Sequence, residues 1–346
     1  MKSSLMNQSA KGRTSFDNLI MRKLVPVVLV GIFLIGCGDS KKEITSVPEK
    51  PAVKVPVFNA DSAFTFIEKQ VDFGPRVPNT AAHGFVGDYL IDQLKAFGGT
   101  VKVQEFEETT FDGERLTLRN IMGQFNPTAK KRILLAAHWD TRPYTDKDAE
   151  NPSGIADGAN DGASGVGVLL EIARVVGKEQ PNVGVDVLFF DGEDWGEKEA
   201  SNNQVPTPDH LQSWWALGSQ YWSKNRGDYS AFYGILLDMV GAKGSQFHVE
   251  GNSDKYAPKI VKKVWKTASE IGYSSYFVYR PQSGINDDHV YVNQHAKIPM
   301  IDIVHFDPLV GYFGDYHHTL KDNMEIIDRR TLKAVGQTVL HVLYNE

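Results

Sequence analysis

The sequence is poor in cysteine and has no excess of positive charge. Its 346 residues include one cysteine, 37 Lys and Arg, and 43 Asp and Glu, for a formal net charge of -6. A single cysteine excludes a disulfide scaffold and a zinc site built from thiolates. A mildly acidic chain offers no basic surface for nucleic acid. A metal site in this protein must therefore use His, Asp and Glu, while the hydrophobic fraction of 41% is ample for a core.

The chain also lacks an apolar run long enough to span a bilayer. Arg22 and Lys23 precede an apolar stretch over 24–35, which is shorter than the roughly 20 residues of a membrane helix. A basic start, a short apolar stretch and a small residue before the cleavage point predict a secretory signal peptide over residues 1–36, with Met21 as an alternative start. The stretch ends in Leu-Ile-Gly-Cys, which resembles a bacterial lipobox. Cys37 would then be acylated; the alternative is a plain signal peptide with an incidental cysteine.

Residues 37–57 contain several prolines, lysines and serines and are predicted to form a flexible tether. We expect the folded domain to cover residues 58–346. These features predict an exported lipoprotein of the bacterial cell envelope, facing the periplasm or the cell surface. Its contact with the membrane is expected through the lipid anchor alone.

Four nearly continuous apolar runs, at 132–138, 185–190, 233–239 and 298–304, are typical of strands buried on both faces. Amphipathic patterns predict helices at 61–73 (capped by Asp61), 82–97, 162–177, about 210–225, 258–271 and 328–344. Alternating residues at 101–106 and 116–118 predict a hairpin. Without an internal repeat or a second shift in composition, the sequence predicts one α/β domain.

Several histidines and one group of aromatic residues are expected to have structural rather than catalytic roles. His83, His210, His248 and His341 are expected on the surface or on helix faces, and His289, His295 and His305 in packing positions near the site. The aromatic residues Trp214, Trp215, Tyr221 and Trp222 have helical spacing, which favours a place in the core.

Polar residues that can bind a metal or transfer a proton follow three of the predicted strands. In an open α/β sheet the ligand crevice lies outside the carboxyl ends of the strands. Buried carboxylates cost several kcal/mol unless they are paired or bind a metal, so their convergence predicts a cation. Asp161 precedes a predicted helix in a glycine-rich segment, where its alternative role is an N-cap. His318 lies in a polar loop before the last predicted helix. The set is His138, Asp161, Glu193, Asp194, Asp238 and His318.

Oxygen and imidazole ligands favour a catalytic zinc with an open coordination position. Magnesium and calcium favour shells of oxygen alone. The adjacent acids Glu193 and Asp194 suggest that one ligates the metal while its neighbour transfers protons.

Six motifs in this order resemble those of the zinc aminopeptidase superfamily and, within it, the glutaminyl-peptide cyclotransferases. The resemblance covers residues from about 64 to 344 and implies a mixed, mostly parallel central sheet flanked by helices, as in zinc exopeptidases. The motifs are 138–142 (HWDTR), 158–161 (GAND), 189–194 (FFDGED), 237–241 (LDMVG), 287–289 (DDH) and 318–323 (HTLKDN).

The resemblance implies one zinc ion held by Asp161, Asp194 and His318. It also implies that Glu193 is the general acid/base. The sequence departs from the family at Asp194, where the animal enzymes have glutamate.

Further roles follow from the same resemblance. Asp238 and Asp288 match two carboxylates that form hydrogen bonds around the substrate, and Trp195 is the candidate for the indole of the substrate pocket. His317 occupies the position of a pocket tryptophan in the animal enzymes.

The implied reaction is cyclisation of the N-terminal glutamine of a peptide or protein to pyroglutamate, with release of ammonia. An alternative is a two-zinc aminopeptidase, because His138, Asp161 and Asp238 could form a second metal site. A third interpretation is a surface lipoprotein that binds ligands without catalysis. The sequence leaves the oligomeric state open.

Overall fold

The structure is a computed structural model and describes residues 53–198 and 205–346. The strands in this part of the chain are β1 (Thr100–Thr109), β2 (Arg115–Phe125), β3 (Arg132–His138), β4 (Gly184–Phe190), β5 (Tyr233–Asp238), β6 (Phe247–Val249), β7 (Phe277–Pro281) and β8 (Met300–Val304). The central sheet has the order β1-β2-β4-β3-β5-β8, and β6 pairs with β7 in a small second sheet. Strands β4, β3, β5 and β8 are parallel, whereas β2 is antiparallel to β1 and β4. The predicted mixed, mostly parallel sheet is confirmed.

Helices flank this sheet, as predicted. They are α1 (Ala60–Asp72), α2 (Ala81–Ala96), α3 (Ala163–Lys178), α4 (Leu217–Asn225), α5 (Gly251–Tyr256), α6 (Pro258–Glu270), α7 (Asp288–Tyr291) and α8 (Arg329–Tyr344). A π-helical turn (Val292–Ala296) continues α7, and a 3-10 turn (Met324–Ile326) precedes α8. Among the described residues, no helix is both long and apolar enough to cross a membrane.

The parallel strands are mostly apolar because helices cover both faces of the sheet. Successive side chains of a strand point to opposite faces. In β3, Ile133 and Leu135 belong to the larger core, which includes residues of α1, α3 and α8. Leu134 and Ala136 belong to a smaller core with Trp222 of α4. Continuous apolar runs are therefore what a sheet covered on both sides requires.

The structure corrects two details of the predicted helices. Asn59, not Asp61, caps α1, because its side-chain oxygen accepts hydrogen bonds from the N–H groups of Asp61 (3.0 Å) and Ser62 (3.1 Å). The helix predicted at about 210–225 begins only at Leu217. The short elements α5, α7, β6 and β7 were not predicted, because they are too brief to show a period.

The N-terminal predictions concern residues that are largely outside the described part of the chain. The predicted signal peptide (1–36), with Cys37 and the tether up to residue 52, lies outside the described residues. Phe58, where the folded domain was predicted to begin, is buried, and its N–H donates a hydrogen bond to Gln337 Oε1 of α8 (2.9 Å).

Candidate active site

His138, Asp161 and Asp238 lie in contact at the C-terminal edge of the sheet. His138 is the last residue of β3 and Asp238 the last of β5, and these strands are parallel neighbours. His138 Nε2 lies 3.0 Å from Asp161 Oδ1 and 3.2 Å from Asp238 Oδ1. All three side chains are buried. The sheet topology therefore brings together three members of the set predicted from strand ends.

Asp161 reaches this edge on the loop 157–162. Its backbone N–H donates a hydrogen bond to the carboxylate of Asp322 (3.1 Å), which ties the loop to the segment before α8. A Cβ atom at Gly162 would lie 2.4 Å from His138 Nε2. Glycine is therefore required here, since only a residue without a side chain lets the loop pass so close to the imidazole.

Glu193 and Asp194 follow β4 in a turn that Asp140 holds in place. The two carboxylate oxygens of Asp140 accept hydrogen bonds from the backbone N–H groups of Glu193 and Asp194, each at 3.1 Å. Gly192, just before them, has a φ of +66°, which favours glycine. The side chain of Asp140 is fully buried, so its role is to position the turn.

His318 brings the C-terminal loop to the same place. Its Nε2 atom lies 3.1 Å from Asp194 Oδ1 and 3.8 Å from Asp161 Oδ2. His317 Nε2 also lies 3.8 Å from Asp161 Oδ2, and the two imidazole rings stack with centroids 3.6 Å apart. The structure thus places the predicted Asp161, Asp194 and His318 around one point.

These donor atoms fit a divalent metal. Asp161, His317 and His318 offer ligand atoms within 4.8 Å of one another, and so do His138, Asp161 and Asp238. Three buried carboxylates, those of Asp161, Asp194 and Asp238, meet at this place. Burying several negative charges together is costly unless a cation offsets them, and a metal ion would do so. Carboxylate oxygens with imidazole nitrogens are the ligands that zinc uses in catalytic sites.

The surroundings shift the acidities of these groups in opposite directions. Burial is the largest cause that raises the pKa of Glu193 well above its usual value, and the nearby acids Asp287 and Asp194 add to it. Burial likewise raises the pKa of Asp238 to about 7. Burial alone would raise the pKa of Asp161 too, but the hydrogen bond from His138 and the nearby imidazoles lower it below its usual value. The pKa of one carboxylate of the cluster is therefore lowered, while the pKa values of its neighbours are raised.

A cavity of about 240 Å³ opens over this cluster and is called here the catalytic cavity. The candidate metal ligands Asp161, Asp194 and His318 line it together with aromatic, apolar and a few polar residues. The lining residues are Asp161, Glu193, Asp194, Trp215, Asp238, Met239, Ile285, Asn286, Asp287, Tyr312, Phe313, His317 and His318.

The indole of the pocket belongs to Trp215, not to Trp195. Trp195 is buried in a core cluster with Leu118 and Trp214 and does not line the cavity. The Trp215 ring lies parallel to the His318 ring, with centroids 5.9 Å apart. The guanidinium of Arg142 lies over the Trp215 ring, 4.5 Å from its centroid. Helical spacing placed Trp215 in the core, but it precedes α4 and so does not follow that period.

The acid in the cavity wall at the start of α7 is Asp287, not the predicted Asp288. Asp287 is the N-cap of α7 in an extended conformation and lines the catalytic cavity. Asp288 is fully buried as the first helical residue, where it lies beside Ser219 of α4. Burial raises the pKa of Asp288 well above its usual value. Asp287 therefore reaches the cavity surface, while Asp288 lies behind it and contributes to the raised pKa of Glu193.

Two of the histidines expected on the surface or on helix faces, His83 and His248, are buried. His83 of α2 places its Nε2 atom 2.9 Å from Asp191 Oδ1, and its ring stacks on Trp139 at 4.3 Å. His248 of β6 is also buried. His83 therefore packs against Asp191 and Trp139, the residues that directly follow β4 and β3. Its position in an amphipathic helix did not indicate these contacts.

Comparison with known proteins gives consistent relatives. The model of Peptidase family M28 matches residues 120–343. The crystal structure of Bacteroides thetaiotaomicron glutaminyl cyclase bound to N-acetylhistamine is 50% identical, covers 85% of this chain and 100% of that chain, and has a TM-score of 0.82. The structure of a leucine aminopeptidase precursor from the same species is 49% identical, with 85% and 100% coverage and a TM-score of 0.81. A glutaminyl-peptide cyclotransferase of Drosophila melanogaster is 25% identical over 278 residues, 74% of this chain and 73% of that protein.

Proposed function

The chain belongs to peptidase family M28, and we propose that it is a zinc-dependent glutaminyl-peptide cyclotransferase. Such an enzyme converts the N-terminal glutamine of a peptide or protein to pyroglutamate and releases ammonia. The main support is the 50% identity to Bacteroides thetaiotaomicron glutaminyl cyclase over 85% of this chain. The Drosophila melanogaster cyclotransferase supports the same activity.

One zinc ion is proposed to bind Asp161, Asp194 and His318. His318 Nε2 lies 3.1 Å and 3.8 Å from oxygens of the two carboxylates, so all three can reach a common ion. When bound, the zinc supplies a Lewis acid that polarises a carbonyl oxygen and favours negative charge on it.

Glu193 is proposed to transfer the protons. It accepts a proton from the α-amine of the substrate as that nitrogen bonds to the side-chain amide carbon. It then returns the proton to the departing ammonia. The raised pKa of Glu193 suits proton transfer, because it makes this carboxylate a stronger base than an exposed glutamate. Nucleophile and electrophile belong to the same residue, so holding the glutamine folded supplies much of the rate through proximity.

Asp238 and Asp287 are proposed to hold the α-amine beside Glu193. Both line the catalytic cavity with it, and carboxylate oxygens accept hydrogen bonds from an amine. Trp215 and Phe313 form apolar walls of the same cavity. These rings can pack on the methylene groups of the glutamine and exclude water from the reacting atoms.

The second candidate function is a two-zinc aminopeptidase. The contact of His138 Nε2 with Asp161 and Asp238 at 3.0 and 3.2 Å could be replaced by a second metal ion. The similar chain described as a leucine aminopeptidase precursor also favours this alternative. Counting zinc atoms per chain by elemental analysis separates one ion from two.

Incubating the zinc-loaded protein with peptides that begin with glutamine or leucine tests the proposed function. We expect pyroglutamyl peptide and ammonia from the former and no free leucine from the latter. Glu193→Gln should abolish turnover while zinc content is unchanged. Glu171→Gln, which alters a buried glutamate of α3 paired with Arg174, is the matched control and should stay active. Release of leucine without pyroglutamate would favour the aminopeptidase.

We further propose that the protein is exported and anchored through Cys37. The support is the basic, apolar and small-residue pattern of residues 22–37. Labelling with a fatty acid and fractionation of cells test this part of the proposal.

A further inference from the structure

Two adjacent histidines, His317 and His318, face the same carboxylate of the candidate zinc site. Nε2 of each ring lies 3.8 Å from Asp161 Oδ2, and both side chains are buried. His318 has a φ of +58°, which is uncommon for a residue other than glycine, and the two rings stack with their centroids 3.6 Å apart. Distance alone therefore allows either ring to bind a zinc ion together with Asp161.

The Nδ1 atoms of the two rings face side chains of opposite charge. Lys147 Nζ lies 2.6 Å from Nδ1 of His317. Oδ1 of the preceding residue, Asp146, lies 3.6 Å from Nδ1 of His318. Two consecutive residues thus present a cation to one imidazole and a carboxylate to its neighbour.

These contacts give the two rings different tautomers. A lysine ammonium group only donates hydrogen bonds, so Nδ1 of His317 accepts one and the ring proton is on Nε2, which faces Asp161. The carboxylate of Asp146 instead favours the proton on Nδ1 of His318 and leaves a lone pair on Nε2, the arrangement that is usual for a histidine bound to a metal. A metal binds only a ring nitrogen with a free lone pair, so the two neighbours are not equivalent as ligands.

Contacts of the backbone and of the side chain keep Lys147 in this place. Its backbone N–H donates a hydrogen bond to the carbonyl of His318 at 3.3 Å. The N–H of Leu320 donates to Oδ2 of Asp148 at 3.1 Å, which joins the same two segments a second time. Lys147 Nζ also lies 5.1 Å from the centroid of the Tyr312 ring, within the range of a cation–π contact. The ammonium group is therefore fixed relative to the loop that carries both histidines.

We propose that Lys147 is a positioning residue that prevents His317 from binding the zinc ion. This inference rests on the proposed function, since it takes the zinc ligands to be Asp161, Asp194 and His318. A catalytic zinc site keeps one coordination position open for substrate, and a fourth protein ligand would close it. Lys147 thus keeps that position available to the carbonyl oxygen of the substrate.

Two measurements on the zinc-loaded wild-type protein test the proposal. Long-range proton–nitrogen NMR spectra of protein labelled with nitrogen-15 histidine report the tautomer of each ring, and the variant His317→Asn identifies the signals of His317. X-ray absorption at the zinc edge counts the imidazole ligands per zinc ion. We expect a proton on Nε2 of His317 and one imidazole per zinc ion. A proton on Nδ1 of His317, or two imidazoles per zinc ion, would overturn the proposal.

Variants then assign the effect to the lysine. Lys147→Met removes the donor but keeps an unbranched side chain, so the proton of His317 can move to Nδ1 and Nε2 can bind zinc. The count should rise to two imidazoles per zinc ion, and kcat/KM on glutamine peptides should fall about 10- to 100-fold, the range for groups that orient metal ligands. Lys147→Arg keeps a group that only donates and should stay close to wild type. Lys321→Met is the matched control, because this lysine of the same loop pairs with Asp315 at 2.5 Å, and it should change neither readout.

A lysine with a purely structural role would alter stability without altering the zinc ligands. One imidazole per zinc ion in Lys147→Met, with the proton of His317 still on Nε2, would therefore contradict the inference. If Lys147→Met folds poorly, the wild-type tautomer and the Lys147→Arg variant still decide. Failure of the zinc-loaded wild type to convert any glutamine peptide would instead contradict the proposed function, while the tautomer and the ligand count would continue to test the role of Lys147.

Discussion

Replacing Asp140 with asparagine should slow catalysis while the protein stays folded. The side chain of Asp140 is fully buried and does not line the catalytic cavity. Its two oxygens each accept one backbone N–H, from Glu193 and from Asp194, at 3.1 Å. Asp140 therefore fixes the turn that presents both the proposed base and a proposed zinc ligand.

The expected magnitude follows from the loss of one charged acceptor. Asparagine keeps one side-chain oxygen but places an NH₂ group against the second backbone N–H, where two donors face each other. A hydrogen bond to a charged group contributes about 1.5–3 kcal/mol. Each 1.36 kcal/mol in the barrier changes the rate tenfold, so kcat should fall roughly 10- to 150-fold if the turn must be restored in the transition state.

Ammonia release from a glutamine peptide measures the rate, and elemental analysis measures the zinc that remains bound. The matched control is Asp186→Asn in β4, which alters a buried aspartate paired with Arg132 at 2.5 Å, at the other end of the strand. That variant should lose stability and keep kcat/KM close to wild type. A kcat for Asp140→Asn equal to wild type would refute the idea that this carboxylate positions the turn.

Two further predictions concern other parts of the chain. His305 has a folded-state pKa of about 4, below the value of 6.5 expected when unfolded. The unfolded chain therefore takes up this proton first as the pH falls, and stability is lost between about pH 6.5 and 4. Urea unfolding at pH 7 and 4.5 should show that His305→Gln loses about 2 kcal/mol less than wild type; equal losses would contradict this. Cys37→Ser should move the protein from the membrane fraction to the soluble envelope fraction, and a protein that stays with the membrane would exclude the proposed lipid anchor.

The positions of the central strands were predictable from the sequence, because strands buried on both faces consist mostly of apolar residues. The runs at 132–138 and 185–190 are nearly continuous in apolar residues, and the structure has β3 and β4 there. The small elements β6, β7, α5 and α7 left no such mark, since three to six residues are too few for a period. Their positions depend on packing against the end of β8 and on the loops beside it.

The candidate metal site was predictable for a related reason. His138 and Asp238 end adjacent parallel strands, and strand ends of such a sheet share one edge. Asp161 and His318 were identified from polar segments next to helices, and the structure brings both to the same edge. The close approach of the backbone at Gly162 was also predictable, because the segment 157–165 is rich in glycine.

The sequence by itself determined the fold class, the residues at the strand ends and the type of ligand, because strand burial and residue chemistry are local properties. Only the tertiary structure decided which side chains line the cavity, as with Asp287 beside the fully buried Asp288, and with Trp215 rather than the more distant Trp195. A shift of one residue at a turn or helix start redirects a side chain, and that direction depends on contacts with residues distant in the sequence.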